Sequence, residues 1–448
     1  MGEDEGASGS GGGSPDEGRD ESRAVEHRGE GSSQAAEIRE LFDFLSVRTA
    51  APNQKRQPKR NYTFWGSQPV AQFDDDPGST PTEDGSIEGE KTVDEVQKEP
   101  YKLPAGYEWC TCDFSDDKVV QEVYNLLTTN YVEDDDNMFR FDYSAGFLKW
   151  ALMPPGSQQE WLAGVRVSHN KKLVGFITAI PATIRVKEQV LRMVEINFLC
   201  VHKKLRAKRL APVLIKEITR RVNLHDIWQA AYTAGVVLPT PVATCRYWHR
   251  SLNPKKLIDV GFSKLGHRMT MARTIKLYRL PESPRTPGFR QMHEGDSQEV
   301  LNLLSAYLEQ FKLAPQLTLE EVKHWLVPRA DVIDSFVVEG ADGTITDFAS
   351  FYTLPSSILG HPQHSVLKAA YMYYTVPGAT QLQQLMTDVM IEARRKGYDV
   401  FNALDVLHNQ QFLKDLKFGE GDGFLRYYLF NWRVVEKLQP SDVGLVLL

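Results

Sequence analysis

The sequence has few cysteines, no long apolar run and no excess of positive charge. Its 448 residues include four cysteines, too few for a disulfide framework, and Cys110-x-Cys112 has no second pair to complete a zinc site. No apolar stretch approaches the ~18 residues of a membrane span, and the first residues lack the apolar core of a signal peptide. The formal net charge of -7 gives no overall attraction to nucleic acid. We therefore expect a monomeric, cytoplasmic protein with reduced thiols.

Common cofactor and metal motifs are also missing. Gly419-Glu420-Gly421-Asp422-Gly423 lacks the spacing of a dinucleotide fingerprint, and the chain has neither a Walker motif nor a G-x-S-x-G elbow. The acidic run Asp134 to Asp136 has Phe139 where an EF-hand needs glycine. His361-x-x-His364 has no companion ligands. The sequence thus predicts no metal and no covalent nucleophile.

The first hundred residues differ in composition from the rest. Residues 1–34 contain no Leu, Ile or aromatic residue, so they cannot bury enough apolar surface to offset the entropy of ordering. We predict a disordered arm over residues 1–60, interrupted by a short amphipathic helix at Ile38 to Leu45. Asp74 to Pro100 is an acidic linker with Pro and Gly, and compact structure is expected from about Tyr101.

The rest of the chain shows the same order of predicted elements twice. The first copy has a hairpin at Val165 to Val167 and Leu173 to Ile180, a strand at Val190 to Val201, a helix from Leu210 and a strand at Ala230 to Val237. One face of that helix would carry Leu210, Val213, Leu214, Ile218 and Val222.

The second copy repeats this order. It has a hairpin at Phe336 to Val338 and Thr344 to Tyr352, a strand at Leu367 to Val376, a helix from Leu382 capped by Gly397, and a strand at Asp399 to Leu404. This order resembles the GCN5-related acetyltransferase (GNAT) fold. We therefore expect an α/β protein with two tandem GNAT-like halves, at residues 61–270 and 271–448, related by a pseudo-two-fold.

A cation-rich loop distinguishes the two copies. His202 to Arg209 carries Lys or Arg at five of eight positions, between the long strand and the helix of the first copy. A helix N-terminus already holds about half a positive charge, so each added cation is unfavourable by ~0.3–1 kcal/mol unless an anion binds. The equivalent loop of the second copy, Thr375 to Thr380, has no cation. Only the first half is expected to bind a phosphate-bearing cofactor; a solvated charge run is the alternative.

Longer stretches of sequence resemble one family. The chain is similar to the metazoan glycylpeptide N-tetradecanoyltransferases, or N-myristoyltransferases, from about Asn61 onwards. The similarity is carried by EINFLCV (Glu195 to Val201), HKKLRAKRLAP, NYVEDDDNMFRFDYS, YTAGVVLP, CRYWHRSLNP, FYTLPS and KFGEGDGFL. The N-terminal arm is not covered.

The resemblance implies myristoyl-CoA as the acyl donor, with no metal. The residues that would bind it are Thr63, Phe64 and Trp65, then Phe198, Leu199, Cys200 and Val201, and finally Arg206, Ala207, Arg209, Leu210 and Ala211 of the phosphate loop. Phe64 and Trp65 could instead be ordinary anchors of the arm.

The resemblance also implies the catalytic groups. Backbone amides of Phe198 and Leu199 would stabilise the oxyanion. The nucleophile, an N-terminal glycine amine with a pKa of roughly 8, is mostly protonated near pH 7 and needs a base. That base would be the carboxylate of Leu448, with Asn197 and Thr233 guiding the amine. Each assignment has a plainer alternative. Phe198 and Leu199 could simply belong to an interior strand, and the C-terminal residues could form a packed final strand. Asn197 and Thr233 could be interior polar groups with satisfied hydrogen bonds.

A peptide groove is implied by a further set of matching residues. They are Tyr131, Val132, Asp134, Asp135, Asp136, Phe139, Arg140, Phe141, Tyr143, Tyr247, His249, Phe262, Ser356, Asp422, Gly423 and Leu425. The acidic run could equally be a solvated turn, and the aromatic residues could be core.

The expected reaction is transfer of a myristoyl group to the N-terminal glycine of proteins that begin Met-Gly-x-x-x-Ser/Thr. The expected partners are such proteins as nascent chains, and the ribosome through the arm. Two alternatives stay open: an acetyl-CoA-dependent N-acetyltransferase, and a catalytically silent scaffold that binds acyl-CoA or peptide.

Overall fold

The computed structural model describes residues 62–73, 83–89, 91–131 and 138–448. The disorder and the short helix predicted for residues 1–60 lie outside these ranges. The predicted start of compact structure near Tyr101 is wrong, because Phe64, Trp65 and Val70 are already buried in the core of the first half. These apolar side chains supply the packing surface that the acidic linker lacks.

The helices frame the two halves. They are α1 (Asp117–Asn130), α2 (Ala145–Leu152), α3 (Leu210–Asn223), α4 (Pro254–Asp259), α5 (Met271–Leu277), α6 (Ser297–Leu308), α7 (Leu319–Leu326), α8 (Leu382–Arg395) and α9 (Gln410–Leu413). Short 3-10 helices lie at Trp65–Ser67, Val93–Glu95, Gln159–Trp161, Lys203–Lys208, Glu294–Asp296 and Pro440–Asp442.

The strands form one large sheet and one small sheet. They are β1 (Tyr107–Thr111), β2 (Phe139–Phe141), β3 (Leu162–Val167), β4 (Leu173–Val186), β5 (Gln189–Val201), β6 (Ala230–Ala234), β7 (Ala243–Ser251), β8 (Phe289–Gln291), β9 (Leu313–Pro315), β10 (Ile333–Glu339), β11 (Ile345–Thr353), β12 (Ser356–Ile358), β13 (Val366–Leu367), β14 (Ala369–Val376), β15 (Val400–Leu404) and β16 (Gly419–Phe430). The large sheet has the order β1-β3-β4-β5-β6-β16-β7-β15-β14-β11-β10-β8, with β9 paired to β4, and β13-β12-β2 form the small one.

The sheet order confirms two tandem GNAT-like halves. Each half contributes a hairpin (β3–β4, β10–β11), a long strand and a parallel return strand, paired as β5–β6 and β14–β15. The last strand of each half then crosses over: β16 pairs with β6, and β7 pairs with β15. Both halves therefore share one continuous sheet, while the boundary at residue 270 stays a prediction.

Most predicted elements are present, with local differences. On α3 the predicted apolar face is buried except for Val213, which is half-buried because it lies toward the edge of that face. The second-copy strand predicted from Leu367 is split into β13 and β14, because Lys368 leaves the ladder and its backbone N–H donates to Asp399 (2.9 Å). The first return strand ends at Ala234, three residues earlier than predicted.

Candidate active site

The long strand β5 is irregular at Phe198. Its register with β4 shifts there, so that Phe198 and Leu199 together face Ile177. Phe198 has a φ of 55°, a left-handed conformation that costs a bulky residue roughly 1–3 kcal/mol and is concentrated at functional sites. A bulge of this kind turns backbone groups out of the regular ladder, which makes the peptide units of these two residues available for other contacts.

The two side chains at this bulge belong to different cores. The Phe198 ring packs against Tyr131 and Tyr143, with ring centroids 5.8 and 5.1 Å apart. Leu199 instead joins the core beneath α3. Burial raises the pKa of Tyr131, opposed by a hydrogen bond with the backbone of Phe198. The bulge therefore lies where an aromatic compartment meets an aliphatic one.

One cavity of about 630 Å³ spans both compartments. Its aliphatic part includes Ile177, Val194, Ile196, Ile215, Ile218, Val222 and Ile227, closed by Trp65 and Tyr232, whose rings stack at 5.8 Å. Its other part contains every described member of the predicted groove: Tyr131, Phe139, Arg140, Phe141, Tyr143, Tyr247, His249, Phe262, Ser356, Asp422, Gly423 and Leu425. Val132 and Asp134 to Asp136 lie outside the described residues.

The C-terminal segment runs into this cavity and is held by hydrogen bonds. Residues Val443 to Leu447 are buried, and Leu447 and Leu448 line the cavity. The anchoring bonds run from Gly444 N to Leu313 O (2.7 Å), from Tyr427 Oη to Leu445 O (2.9 Å) and from Val446 N to Tyr374 Oη (3.3 Å). A Cβ at Gly444 would lie 2.9 Å from the Phe311 side chain, so glycine permits the close approach.

Asn197 connects the first half to this segment. With its amide nitrogen directed at the neighbouring carbonyl groups, Nδ2 donates to Leu448 O (3.1 Å) and to Ile196 O (3.3 Å). Thr233 of β6 lines the same cavity. The structure thus brings together all five predicted catalytic residues: Asn197, Phe198, Leu199, Thr233 and Leu448.

The cation-rich loop forms a 3-10 helix over Lys203–Lys208 ahead of α3. Arg209, with a φ of 57°, makes the turn into α3. Asn130, the last residue of α1, holds the loop: its Oδ1 accepts from Lys203 N (3.0 Å) and its carbonyl accepts from Arg206 (2.7 Å). Burial lowers the pKa of His202, and the cations nearby, Lys172 among them, lower it further. Positive charge is therefore concentrated at the N-terminus of α3.

The equivalent loop of the second half is occupied by the chain itself. The carboxylate of Asp347, fully buried on β11, accepts from Gly378 N (2.8 Å) and Thr380 N (2.9 Å). The Thr346 hydroxyl donates to the same carboxylate (2.7 Å). A carboxylate of the chain itself thus accepts the backbone N–H groups of this loop, whereas the corresponding loop of the first half carries cations.

Only some of the predicted cofactor residues line the cavity. Trp65, Phe198 and Leu199 line the cavity. The others lie outside its lining: Thr63, Phe64, Cys200, Val201, Arg206, Ala207, Arg209, Leu210 and Ala211. Of these, Phe64, Cys200, Val201, Leu210 and Ala211 are buried, whereas Ala207 is exposed.

Several cavity residues of the second half were not predicted. Tyr352, Leu354, Leu367, Tyr371 and Asn402 all line it. Asn402 Oδ1 lies 2.7 Å from His249 Nδ1. Burial lowers the pKa of His249, although Asn402 and Asp422 oppose the shift, so this imidazole is neutral at pH 7. A polar residue inside the predicted apolar strand β15 was the one available signal for Asn402.

Metal ligands and membrane helices were also sought within the described ranges. No group of three or more His, Cys, Asp or Glu side chains there is arranged to hold a metal ion. None of the described helices has the length and apolarity that crossing a bilayer requires.

Comparison with known proteins identifies close relatives. Residues 86–245 match the family model of the Myristoyl-CoA:protein N-myristoyltransferase N-terminal domain, and residues 259–446 match that of the C-terminal domain. Glycylpeptide N-tetradecanoyltransferase 1 of Arabidopsis thaliana is 60% identical over 87% of this chain and 90% of its own length. Glycylpeptide N-tetradecanoyltransferase 2 of Danio rerio is 57% identical over 92% and 82%. Saccharomyces cerevisiae N-myristoyltransferase with bound myristoyl-CoA superposes with a TM-score of 0.82 at 42% identity, covering 89% of this chain and all of that one.

Proposed function

Because this chain belongs to the myristoyl-CoA:protein N-myristoyltransferase family, we infer that it transfers a myristoyl group from myristoyl-CoA to the N-terminal glycine amine of proteins. The first half, residues 61–270, would bind the acyl-CoA, and the second half, residues 271–448, would supply much of the peptide groove and the C-terminal segment. The observation that carries this reading is the single cavity that joins an aliphatic slot, the Phe198 bulge and Leu448.

The acyl chain fits the aliphatic part of the cavity. Burying a saturated fourteen-carbon chain at ~0.8 kcal/mol per methylene contributes about 9 kcal/mol of transfer free energy before ordering costs. An acetyl group would leave this slot empty, so the lining favours a long-chain donor over acetyl-CoA. The CoA phosphates would contact the loop at Lys203–Lys208 and the N-terminus of α3.

The bulge supports a role in stabilising the oxyanion. We assign the backbone amides of Phe198 and Leu199 to the thioester oxygen, where a lost donor typically costs ~3–4 kcal/mol of transition-state stabilisation. The left-handed φ of 55° at Phe198 and the register shift with β4 turn this peptide unit out of the regular ladder.

The base in this proposal is the main-chain carboxylate of Leu448. It takes a proton from the glycine ammonium group, and the free amine attacks the thioester carbon. The C–S bond then breaks and the second proton of the amine passes to the sulfur, so that the products are the amide and CoA thiol. The bonds from Tyr427 and Tyr374 fix the segment that carries the carboxylate, and Asn197 holds one of its oxygens. Thr233, which lines the same cavity, would guide the amine.

The aromatic part of the cavity would receive the peptide. His249, neutral at pH 7, and Asp422 offer polar contacts among aromatic walls. The acidic residues Asp134 to Asp136 would add attraction for cationic peptides. Nascent chains with N-terminal glycine, a ribosome contact through residues 1–60, a monomeric state and a cytoplasmic location complete the proposal; these rest on the sequence.

Turnover with and without the terminal carboxylate tests the proposal. Full-length protein, a chain truncated after Val446, and Leu448→Gln, which keeps the carboxylate, are incubated with myristoyl-CoA and a peptide that begins Gly-Ser. Free CoA and peptide mass are followed. The proposal expects turnover by full-length protein and Leu448→Gln and none by the truncated chain. Acyl-CoA binding without turnover in all three would favour the scaffold, and equal turnover in all three would exclude Leu448 as the base.

A further inference from the structure

Two thiols converge at the edge of the large sheet, outside the cavity lining. Cys110 lies on β1, the terminal strand of the sheet, and Cys112 directly follows that strand. Residues two apart on an extended strand point to the same side. Both face Gly164 of β3, where an added Cβ would lie 2.6 Å from Cys110 Sγ and 2.8 Å from Cys112 Sγ. The two sulfur atoms are therefore close neighbours above one glycine.

The surroundings make these two thiols unequal. Cys112 is fully buried, whereas Cys110 is half-buried and reaches the surface. The Cys112 thiol bonds to Cys110, and the guanidinium groups of Arg166 and Arg221 lie nearby, so the pKa of Cys110 falls to about 7 despite partial burial. Burial and the Cys110 partner raise the pKa of Cys112. Cys110 is thus about half ionised at neutral pH, whereas Cys112 beside it stays a thiol.

The other two cysteines provide internal controls. Cys200 and Cys245 are buried in the main core. Burial raises the pKa of Cys200 to about 12, and it also raises the pKa of Cys245. Thiolate character and exposure govern the reaction of cysteines with oxidants, so the four thiols of this chain fall into one reactive pair and two inert residues.

From this geometry we propose that Cys110 and Cys112 form a peroxide-reactive modification site that is separate from acyl transfer. The Cys110 thiolate attacks the terminal oxygen of a peroxide; the O–O bond breaks, the alkoxide or hydroxide leaves, and Cys110 becomes a sulfenic acid. Cys112 then attacks that sulfur, water leaves with the Cys112 proton, and a disulfide remains. One peroxide is reduced for each dithiol oxidised.

Strand geometry sets the character of this disulfide. Two residues apart on an extended strand are roughly 6.8 Å between Cα atoms, at the upper limit for a disulfide. Closure therefore requires β1 to shorten, which an edge strand paired on one side to β3 permits more readily than a central strand. A strained disulfide is easily reduced, so small thiols should reverse the modification.

The wild-type chain tests the assignment without any substitution. The reduced full-length protein is exposed to hydrogen peroxide at pH 7, and each cysteine is followed by alkylation and peptide mass. Cys110 should react at least about tenfold faster than Cys200 and Cys245, because its thiolate fraction is about tenfold that of an ordinary thiol. The peptide with Cys110 and Cys112 should lose two hydrogens and regain them with dithiothreitol. Equal rates at all four cysteines, or first reaction at Cys200 or Cys245, would overturn the proposal.

Three variants separate the roles of the groups. Cys112→Ser should hold Cys110 as a sulfenic acid that dimedone traps, and Cys110→Ser should leave Cys112 reduced. Arg166→Gln should slow oxidation of Cys110 at pH 7 and recover near pH 9, where the thiolate forms unaided; mere loss of structure would not recover with pH. A disulfide formed with another cysteine, or the same rate for Arg166→Gln at pH 7, would contradict the assigned roles.

Discussion

The strand-to-helix loops of the two halves have the same place in the fold but opposite charge: the first carries cations, and the second binds a carboxylate of the chain. In the first half, cations gather at the N-terminus of α3, where burial and the neighbouring cations lower the pKa of His202. In the second half, the Asp347 carboxylate accepts from the loop amides of Gly378 and Thr380. The difference teaches that the same strand-to-helix loop can be stabilised by an internal carboxylate or can collect cations that favour an external anion.

The largest effect is expected from removing charge in the first loop. Arg206→Gln combined with Arg209→Gln should weaken binding of myristoyl-CoA about 100-fold or more, because each charge-assisted hydrogen bond contributes ~1.5–3 kcal/mol. Calorimetry measures the Kd. Lys216→Gln on the exposed face of α3 is the matched control and should bind as the parent does. A change of less than threefold in the Kd of the double variant would show that the cations do not distinguish the function of this loop from that of the loop in the second half.

Removing the internal anion of the second loop should destabilise the protein. Asp347→Ala removes the buried carboxylate that accepts from Gly378 N, Thr380 N and the Thr346 hydroxyl, so the free energy of unfolding should fall by about 2–4 kcal/mol. Urea titration measures the loss, with the exposed turn residue Asp342, as Asp342→Ala, for comparison. The stoichiometry of myristoyl-CoA should stay at one per chain; a second bound molecule in Asp347→Ala would show that the carboxylate alone had closed that loop.

The anchoring of the C-terminal segment can be weakened selectively. Tyr427→Phe removes the bond to Leu445, worth about 1 kcal/mol, and should lower kcat about fivefold with an unchanged Kd for myristoyl-CoA. Its neighbour Tyr428 bonds to Val236 instead. Tyr428→Phe should therefore lower thermal stability and leave kcat near the parent value. Equal losses of kcat in both variants would show that general packing, not the anchor, is responsible.

The smallest effect should come from His202, which has no counterpart in the second loop. Because its folded pKa is lowered below 6.5, the folded state binds fewer protons than the unfolded state, and stability falls as pH drops through that value. Bound phosphates would raise the pKa again, so binding of myristoyl-CoA should take up protons and tighten by less than about threefold between pH 7 and 6. Calorimetry in buffers of different ionisation enthalpy detects the uptake. The CoA phosphates themselves cause part of the proton uptake, and His202 causes the rest. His202→Gln should remove the part that His202 causes, and the same uptake in this variant as in the parent would contradict the prediction.

The first loop could be predicted because its signal is local. Five cations within eight residues follow a strand and precede a helix, and that helix begins at Leu210, as predicted. The hairpins could be predicted for the same reason, since the alternation of apolar and polar residues and the turn residues lie within a few positions of each other. The residues that the resemblance grouped as groove and catalytic set line one cavity wherever they are described.

The remaining contacts depend on pairing between distant strands. Tyr427 and Asn402 reach the site because β16 lies between β6 and β7 and because β15 pairs with β7. Periodicity does not reveal which strands become neighbours. The residue with positive φ in the bulge is Phe198 and not a glycine, so the sequence gives no signal for the bulge. Asp347 lies within an apolar strand, where an acidic residue needs a buried partner. This signal was present in the sequence but was not used.

The crossing of β16 between β6 and β7 also bears on biosynthesis. The strand that completes the first half is encoded roughly 170 residues after β7, so at ~5–20 residues per second a ribosome needs roughly 10–30 s to deliver it. During that interval the nascent first half presents two open strand edges, the kind of surface that chaperones cover. Half of this sheet must wait for the other half to be translated.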